Sequence, residues 1–595
     1  MKRLVYLVIA VAIATMAGWY AWDLSQIAST TSVSVLLPRK TIFLAHMPDF
    51  NRTRDQWHHS DIYLLYREPA VQDFLRKPLA SLLTRDTASQ TLREIEQLDP
   101  KDAFFALTSI DDNSPKLAGG FRFHGSVADA ERLIGKWRSK LLERNAGAKH
   151  EKRQYEGHQI DLIVASPFTL ATAYDGPWFF AATDLTDLKA MLDRADRRAK
   201  DLKETLTKDD AYRTAVSHRP SDYAAYFYLQ PKPLLERLAA LRTAIQPSGT
   251  SKPNTFSGLE QVQSISGVTR FENGKIHDII FLGMPNLDRG ATLTRSSLTL
   301  GTKETFFYLA MRLNLGEKID VLNRTPGIGG GVQNFFQSLS DSGVKKKDWN
   351  AAFGSEMGWL ADWPASDHWP SLLLTLPVTD MAKASNILEA IMRADERAVW
   401  TQTEKDGVRY FSMQSLANLV AITPTIALSD KVFVAGSNPV WVEEAIKRSG
   451  GTSSELADSS VYKMAARLVL APTNFFAYVD TPLLYSRFDA SLRPMLLMAA
   501  VFMPALTKSV DLSKLPSPEV ITKHLSPIVS SQRYDRDGYV AESIGPITLD
   551  QSVIGLAILS GISATARQKA VSALSGPGTA PLGNPKSSAS PSPTP

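Results

Sequence analysis

The densest group of side chains able to do chemistry is Asp49, Asn51, Asp55, His58, His59 and Asp61. Two histidines beside carboxylates could hold a divalent metal. His58 and His59 are adjacent, so on a helix they point about 100° apart and cannot easily share one ion. Asp55 and His58, three residues apart, are the better pair. The competing reading is a helix start whose polar residues cap the backbone, and the lack of a His-Glu-x-x-His helix favours it. Gly327-Ile328-Gly329-Gly330-Gly331 is a second candidate. A dinucleotide loop needs Gly-x-Gly-x-x-Gly after a strand, whereas here the third glycine is displaced and the upstream residues 317–323 read as helix. No P-loop Lys-Ser/Thr follows, so a hinge or helix start is expected. Gly354-Ser355-Glu356-Met357-Gly358 has the wrong spacing for a nucleophile elbow. Trp349, Trp359, Trp363 and Trp369 are close in sequence, which fits core and interface packing or a stacking surface for sugar or peptide. No catalytic, cofactor-binding or metal-ligating residue is assigned from these patterns, no cofactor is expected, and the chain reads as a non-enzyme.

Composition narrows the class. A chain of 595 residues exceeds what one core needs, which implies two or more domains. Hydrophobic content of 44% with 21% charged residues is ordinary for a globular protein. The formal net charge of +5 is small for this length. Its densest basic clusters, Lys345-Lys346-Lys347 and Arg194, Arg197, Arg198 and Lys200, read as solvated faces. None is interleaved with aromatics, so no nucleic-acid partner is expected. The chain contains no cysteine, which removes disulfides, thiolate metal sites, cysteine nucleophiles and a lipid-modified N-terminal cysteine.

The N-terminus suggests an address. Residues 1–3 form a short n-region with Lys2 and Arg3, followed by a charge-free apolar run over 4–22. Nineteen such residues can span a hydrocarbon core of about 30 Å. The positive flank would keep the N-terminus in the cytoplasm and put the bulk of the chain outside. Trp19, Tyr20 and Trp22 read as an interfacial belt. They leave no small-x-small cleavage site, so an uncleaved anchor is expected over a cleaved signal peptide. Residues 23–35 read as a polar stalk. Residues 495–506, bracketed by Pro494 and Pro504, are too short to span. Residues 570–595, rich in Pro, Gly and Ser, cannot pack a core and read as a disordered tail.

The remainder reads as one programme used twice. Thr41-Ile42-Phe43-Leu44 matches Thr305-Phe306-Phe307-Tyr308, and Asp102-Ala103-Phe104 matches Ala351-Ala352-Phe353. Trp178-Phe179-Phe180-Ala181 matches Val432-Phe433-Val434-Ala435. Tyr212 matches Tyr462. Tyr223-Ala224-Ala225-Tyr226 matches Phe475-Phe476-Ala477-Tyr478, and Pro233-Leu234-Leu235 matches Pro482-Leu483-Leu484. The offset stays near 250 over much of this span. Ser126 with Asp129 approximates a capping box. Hairpin turns fall at Glu156-Gly157, at Asp175-Gly176-Pro177, at Glu272-Asn273-Gly274 and at Asp535-Arg536-Asp537-Gly538. This order of meanders and helices predicts an α+β fold: two tandem copies of an antiparallel-sheet-plus-helices domain, over 36–290 and 298–565, preceded by one N-terminal transmembrane helix.

Leu37-Pro38-Arg39-Lys40-Thr41-Ile42-Phe43-Leu44, Pro48-Asp49-Phe50-Asn51-Arg52-Thr53 and residues 519–527 resemble a family of bacterial membrane-anchored proteins of unknown function. The resemblance implies an envelope location and carries no functional residue. The expectation is a single-pass protein of the bacterial inner membrane with its bulk in the periplasm. It would serve as a non-catalytic binding or scaffold protein whose partners are the membrane, and envelope proteins, cell wall or lipid. Two alternatives are a carrier or sensor of an apolar ligand and a hydrolase with a non-standard site around Asp49–Asp61.

Overall fold

The structure is a computed structural model that describes residues 32–80, 93–111, 114–145, 147–165, 168–197, 202–236, 262–284, 292–312, 340–341, 343–394, 399–413, 422–451, 454–502, 511–549 and 551. The anchor expected at 4–22, the glycine run at 327–331 and the tail at 570–595 lie outside these residues. Among the described residues no helix is long and apolar enough to cross a membrane. The chain divides into two units after Thr548, and the sheet belongs to the first of them.

In chain order the first half contributes β1 (Phe43–Asp49), β2 (Lys101–Asp111), β3 (Ser114–Arg122), β4 (Lys149–Tyr155), β5 (His158–Ala165), β6 (Phe168–Asp175), β7 (Trp178–Ala182), β8 (Ala225–Leu229), β9 (Ser264–Glu272) and β10 (Lys275–Gly283). The second half contributes β11 (Thr305–Arg312), β12 (Glu356–Asp362), β13 (Ser371–Pro377), β14 (Trp400–Lys405), β15 (Val408–Met413), β16 (Thr425–Leu428), β17 (Val432–Gly436), β18 (Phe475–Val479), β19 (Ile528–Asp535) and β20 (Gly538–Gly545). All twenty belong to one sheet, and every paired neighbour is antiparallel. From its outer edge inward the first half runs β4-β5-β6-β7-β3-β2-β1-β8-β9-β10. The second half runs β14-β15-β16-β17-β13-β12-β11-β18-β19-β20, the same order with ten added to each strand.

The halves meet where β10 pairs with β20, its own counterpart. Ile279 lies opposite Glu542, and each is the fifth residue of its strand. The seam is therefore centred on an approximate two-fold axis. On one face Val540 of β20 packs into the same cluster as Ile279 and Phe281 of β10.

Alternation along the strands explains where the core lies. In β8 (Ala-Tyr-Phe-Tyr-Leu), Tyr226 and Tyr228 are buried while Phe227 faces out. Tyr228 takes Tyr212 edge-on at 5.0 Å, and in the second half Tyr478 takes Tyr462 at 5.1 Å. Helices close the inner face. The helix Val127–Arg144 starts with the capping box expected at Ser126 and Asp129 and buries Ala130, Leu133 and Ile134. Asn273 and Gly274 both take positive φ in the β9–β10 turn, as an Asn-Gly hairpin requires.

Strand register corrects parts of the sequence alignment. Leu44 lies opposite Tyr228, and Tyr308 lies opposite Tyr478, so Thr41–Leu44 and Thr305–Tyr308 correspond as expected. Tyr226, however, corresponds to Phe476 and not to Tyr478. Phe104 corresponds to Gly358, whereas Phe353 closes a helix ahead of β12. The Tyr226 mismatch is a slip of two residues, which short apolar runs with period two tolerate. Pro494 also departs from expectation, lying inside a continuous helix Thr481–Phe502. An interior proline costs about 3 kcal/mol. Here Arg493 anchors that turn by donating to Asp489 and to the carbonyls of Leu515 and Pro516.

Gly538 opens β20 with no room for a side chain, because a Cβ there would collide with the Leu282 carbonyl oxygen of β10. Gly538→Val is expected to spread the seam and to destabilise the fold by about 1–3 kcal/mol. Thermal unfolding of the variant checks this, and an unchanged midpoint would contradict the seam as described.

Candidate functional site

The polar cluster singled out in the sequence is dispersed. Asp49 caps the helix Phe50–His58 by accepting from the Arg52 amide, and its other oxygen takes Lys101 Nζ at 2.7 Å. Asn51 donates to Asp99 and to the Glu96 carbonyl. Asp55 and His59 have side chains about three-quarters exposed, and His58 is exposed and stacks on Tyr63. Asp61 sits under the β9–β10 turn, where its amide donates to Gly274. Asp55 and His58 are thus solvated surface groups, and the polar residues of 49–61 are spent on separate partners. Among the described residues, His158, Asp175 and Asp196 do bring possible ligand atoms together. Both His158 nitrogens are already engaged, by the Tyr174 carbonyl and by Asp196, which makes the group a clamp on the β6–β7 hairpin. Of the four tryptophans, Trp349 and Trp363 are buried while Trp359 and Trp369 are exposed. Arg194 is not a solvated charge, since its guanidinium donates to the Leu36 carbonyl.

The residues that do converge were not candidates in the sequence. The first half holds a cavity of about 570 Å³ lined by residues that include Ser34, His46, Asp102, Tyr212, Arg219, Tyr223 and Tyr226. Continuation of β1 past Leu44 brings His46 there, opposite Tyr226 on β8 and Phe104 on β2. Asp102 lies two residues before Phe104. Arg219 follows the helix Asp210–Ser217, whose Tyr212 closes one wall.

A hydrogen-bond chain ties them together. Arg219 Nη1 donates to the Tyr223 hydroxyl at 3.2 Å, and that hydroxyl lies 2.7 Å from His46 Nδ1. Arginine only donates, so the Tyr223 oxygen accepts from it, and the Asp102 carboxylate facing His46 Nε2 favours the tautomer in which Tyr223 donates to Nδ1. His46 then carries its hydrogen on Nε2. That nitrogen is buried and 3.6 Å from Asp102 Oδ1, beyond hydrogen-bond reach. The Tyr226 hydroxyl is also buried without a partner. Arg219 lies over the rings of Tyr223 and Tyr226 at 4.7 and 4.9 Å, and has no ion-pair partner among the described residues.

Charge in the site is unevenly matched. Burial alone would raise the Asp102 carboxyl, but the neighbouring His46 and Arg122 outweigh it and hold it below the usual range. Arg122 donates to Asp102 through two nitrogens, at 2.9 and 2.6 Å. Burial, with Tyr212 and Asp102 nearby, pushes the Tyr223 phenol up against the opposing pull of Arg219 and Arg52. Tyr223 is thus a hydrogen-bond donor at neutral pH rather than a phenolate base.

The second half supplies an internal comparison. Strand register places Ala310 where His46 stands, Phe476 where Tyr226 stands and Glu356 where Asp102 stands. The polar donors have been replaced by apolar side chains, and the space is taken by the chain itself. Glu356, 8% exposed, accepts from the amides and hydroxyls of Thr294 and Ser296 at 2.7–3.4 Å. This holds Arg295 in a left-handed conformation, φ 56°. Such a backbone costs on the order of 1–3 kcal/mol in a non-glycine residue. The Arg295 guanidinium lies 4.8 Å over the Phe476 ring and donates to the Tyr462 hydroxyl. Arg295 thus does in the second half part of what Arg219 does in the first. The chain itself thus supplies an arginine to the second-half site, while the first-half site keeps a cavity of about 570 Å³.

Comparison with known proteins adds little. No family model matches the chain, and no curated protein matches it. TP0453 is similar in crystal form III over 44% of this chain and 82% of its own, at 7% identity and a TM-score of 0.24. Crystal form I is similar over 44% and 81%, at 8% identity and a TM-score of 0.23. Likeness at this level carries no argument.

Asp102→Asn is expected to lower stability at neutral pH by about 1–3 kcal/mol. A carboxylate with a depressed pKa stabilises the fold above its unfolded value and loses that contribution as pH falls through the folded one. The gap between wild type and variant is therefore expected to shrink below about pH 4. Chemical denaturation at pH 7 and pH 3 checks this, and a gap that widens on acidification would contradict it. Glu356→Gln is expected to lower the thermal unfolding midpoint by weakening the hold on Thr294 and Ser296.

Proposed function

We propose that this chain is a non-catalytic binding protein of the bacterial envelope, built from two copies of one α+β module. In this reading it is held at the inner membrane by an N-terminal span at 4–22, with its bulk in the periplasm. The first module takes a ligand and the second serves as its scaffold. The observation that carries the reading is the contrast between matched positions. Where the second module has Ala310, Phe476 and a self-supplied Arg295, the first has His46, Tyr226 and a cavity of about 570 Å³. A buried donor left unpaired costs about 1–3 kcal/mol, so a site that keeps two of them beside an open cavity is suited to an incoming acceptor.

A second reading, contact with an apolar ligand or lipid, is favoured by the exposed Phe488, Met495, Leu497 and Met498 on the helix Thr481–Phe502. The two readings differ in stoichiometry and site.

Native mass spectrometry of the full-length protein extracted from membranes tests the first. One bound small molecule per chain is expected, lost on His46→Ala with Tyr226→Phe. Two equivalent adducts per chain, or none, would contradict it.

A further inference from the structure

We infer that the first-half cavity is an anion site, taking a carboxylate or phosphate group between Arg219, His46 and Tyr226. This rests on the reading of that cavity as the ligand site. The polar groups of its wall divide by role. The Asp102 carboxylate, an acceptor that could attract a cation, has its Oδ2 matched by two donated bonds from Arg122, while its Oδ1 faces His46 Nε2 at 3.6 Å. Two buried groups beside it lack a hydrogen-bond partner, His46 Nε2 and the Tyr226 hydroxyl, and the guanidinium of Arg219 adds a positive charge and donates to the Tyr223 hydroxyl. Arg219 is the uncompensated charge, and its ring neighbours hold it flat with its edges available for paired bonds to a planar or tetrahedral anion. Arg52 adds positive charge behind the site, since its Nη2 donates to the Tyr223 carbonyl at 3.0 Å.

The second half shows what happens when such a ligand is not wanted. The two orphan donors become Ala310 and Phe476, which need no acceptor. The arginine that enters there spends its charge on a ring face and a tyrosine hydroxyl. The module thus tolerates an arginine at this place in both halves, but only the first half surrounds it with donors that lack acceptors. A neutral apolar ligand would leave His46 Nε2 and the Tyr226 hydroxyl unmet, and a cation would face Arg219.

The test uses the full-length protein freed of small molecules. Inorganic phosphate and succinate are titrated by calorimetry and thermal shift. Flotation with phosphatidylglycerol vesicles, against phosphatidylcholine vesicles, separates a lipid headgroup from a free anion. At least one anionic probe is expected to bind and to weaken as salt rises. Arg219→Gln is expected to cut affinity by about tenfold or more. Tyr226→Phe, which restores the second-half residue, is expected to weaken binding several-fold while leaving the unliganded melting temperature unchanged or higher. A merely structural hydroxyl would instead lower it. Should Arg219→Gln fail to fold, Tyr226→Phe and His46→Ala carry the test. Absence of binding by every anionic probe, or affinity unchanged in all three variants, would overturn the proposal. A neutral or cationic molecule recovered in the cavity and indifferent to Arg219→Gln would sink the anion class alone. An empty cavity in protein drawn from membranes would sink the wider reading as well.

Discussion

Each half of the sheet ends in a strand whose outer row of amides and carbonyls has no partner within that half. An edge of this kind either pairs or becomes a site of uncontrolled association. Here β10 and β20 satisfy each other, and because they are counterparts the pairing is centred, with Ile279 opposite Glu542. The seam makes the two halves one sheet. It also requires close backbone approach at its end, which is why Gly538 stands against Leu282.

Once the halves share a sheet, their differences can be compared position by position. The core tyrosines are retained: Tyr212 on Tyr228 in one half, Tyr462 on Tyr478 in the other. Around the first-half cavity the matched residues differ in polarity. In the second half a buried glutamate binds the preceding segment and turns Arg295 inward at the cost of a left-handed backbone. In the first half the matching carboxylate is given to Arg122 instead, and the donors beside it keep no acceptor. A single scaffold thereby supports a closed site and an open one without altering its strand order.

The hairpins, the capping box at Ser126 and the repeated Thr41–Leu44 and Thr305–Tyr308 strands were legible in the sequence because turn chemistry and caps are local. The cavity was not. His46, Asp102, Arg219 and Tyr226 are spread over some 180 residues and meet only through strand register. The signal lay in comparing the two halves, as His46 against Ala310 and Tyr226 against Phe476. An alignment slipped by two residues set Tyr226 against Tyr478 and hid it, since period-two apolar runs tolerate that slip. The Asp49–Asp61 cluster misled for the opposite reason: residues close in sequence at a helix start are more often caps and surface charges than ligands.

If the first-half site takes a ligand, as proposed, and the second is supplied with Arg295 by the chain itself, the two must differ in how they respond when the ligand is taken away. Backbone amide exchange of the full-length protein, as extracted and after removal of bound small molecules, tests this most directly. The account predicts that removal speeds exchange in β1 and β8, around His46 and Tyr226, and leaves β11 and β18 unchanged. Equal changes in both pairs of strands, or a change confined to β11 and β18, would contradict it.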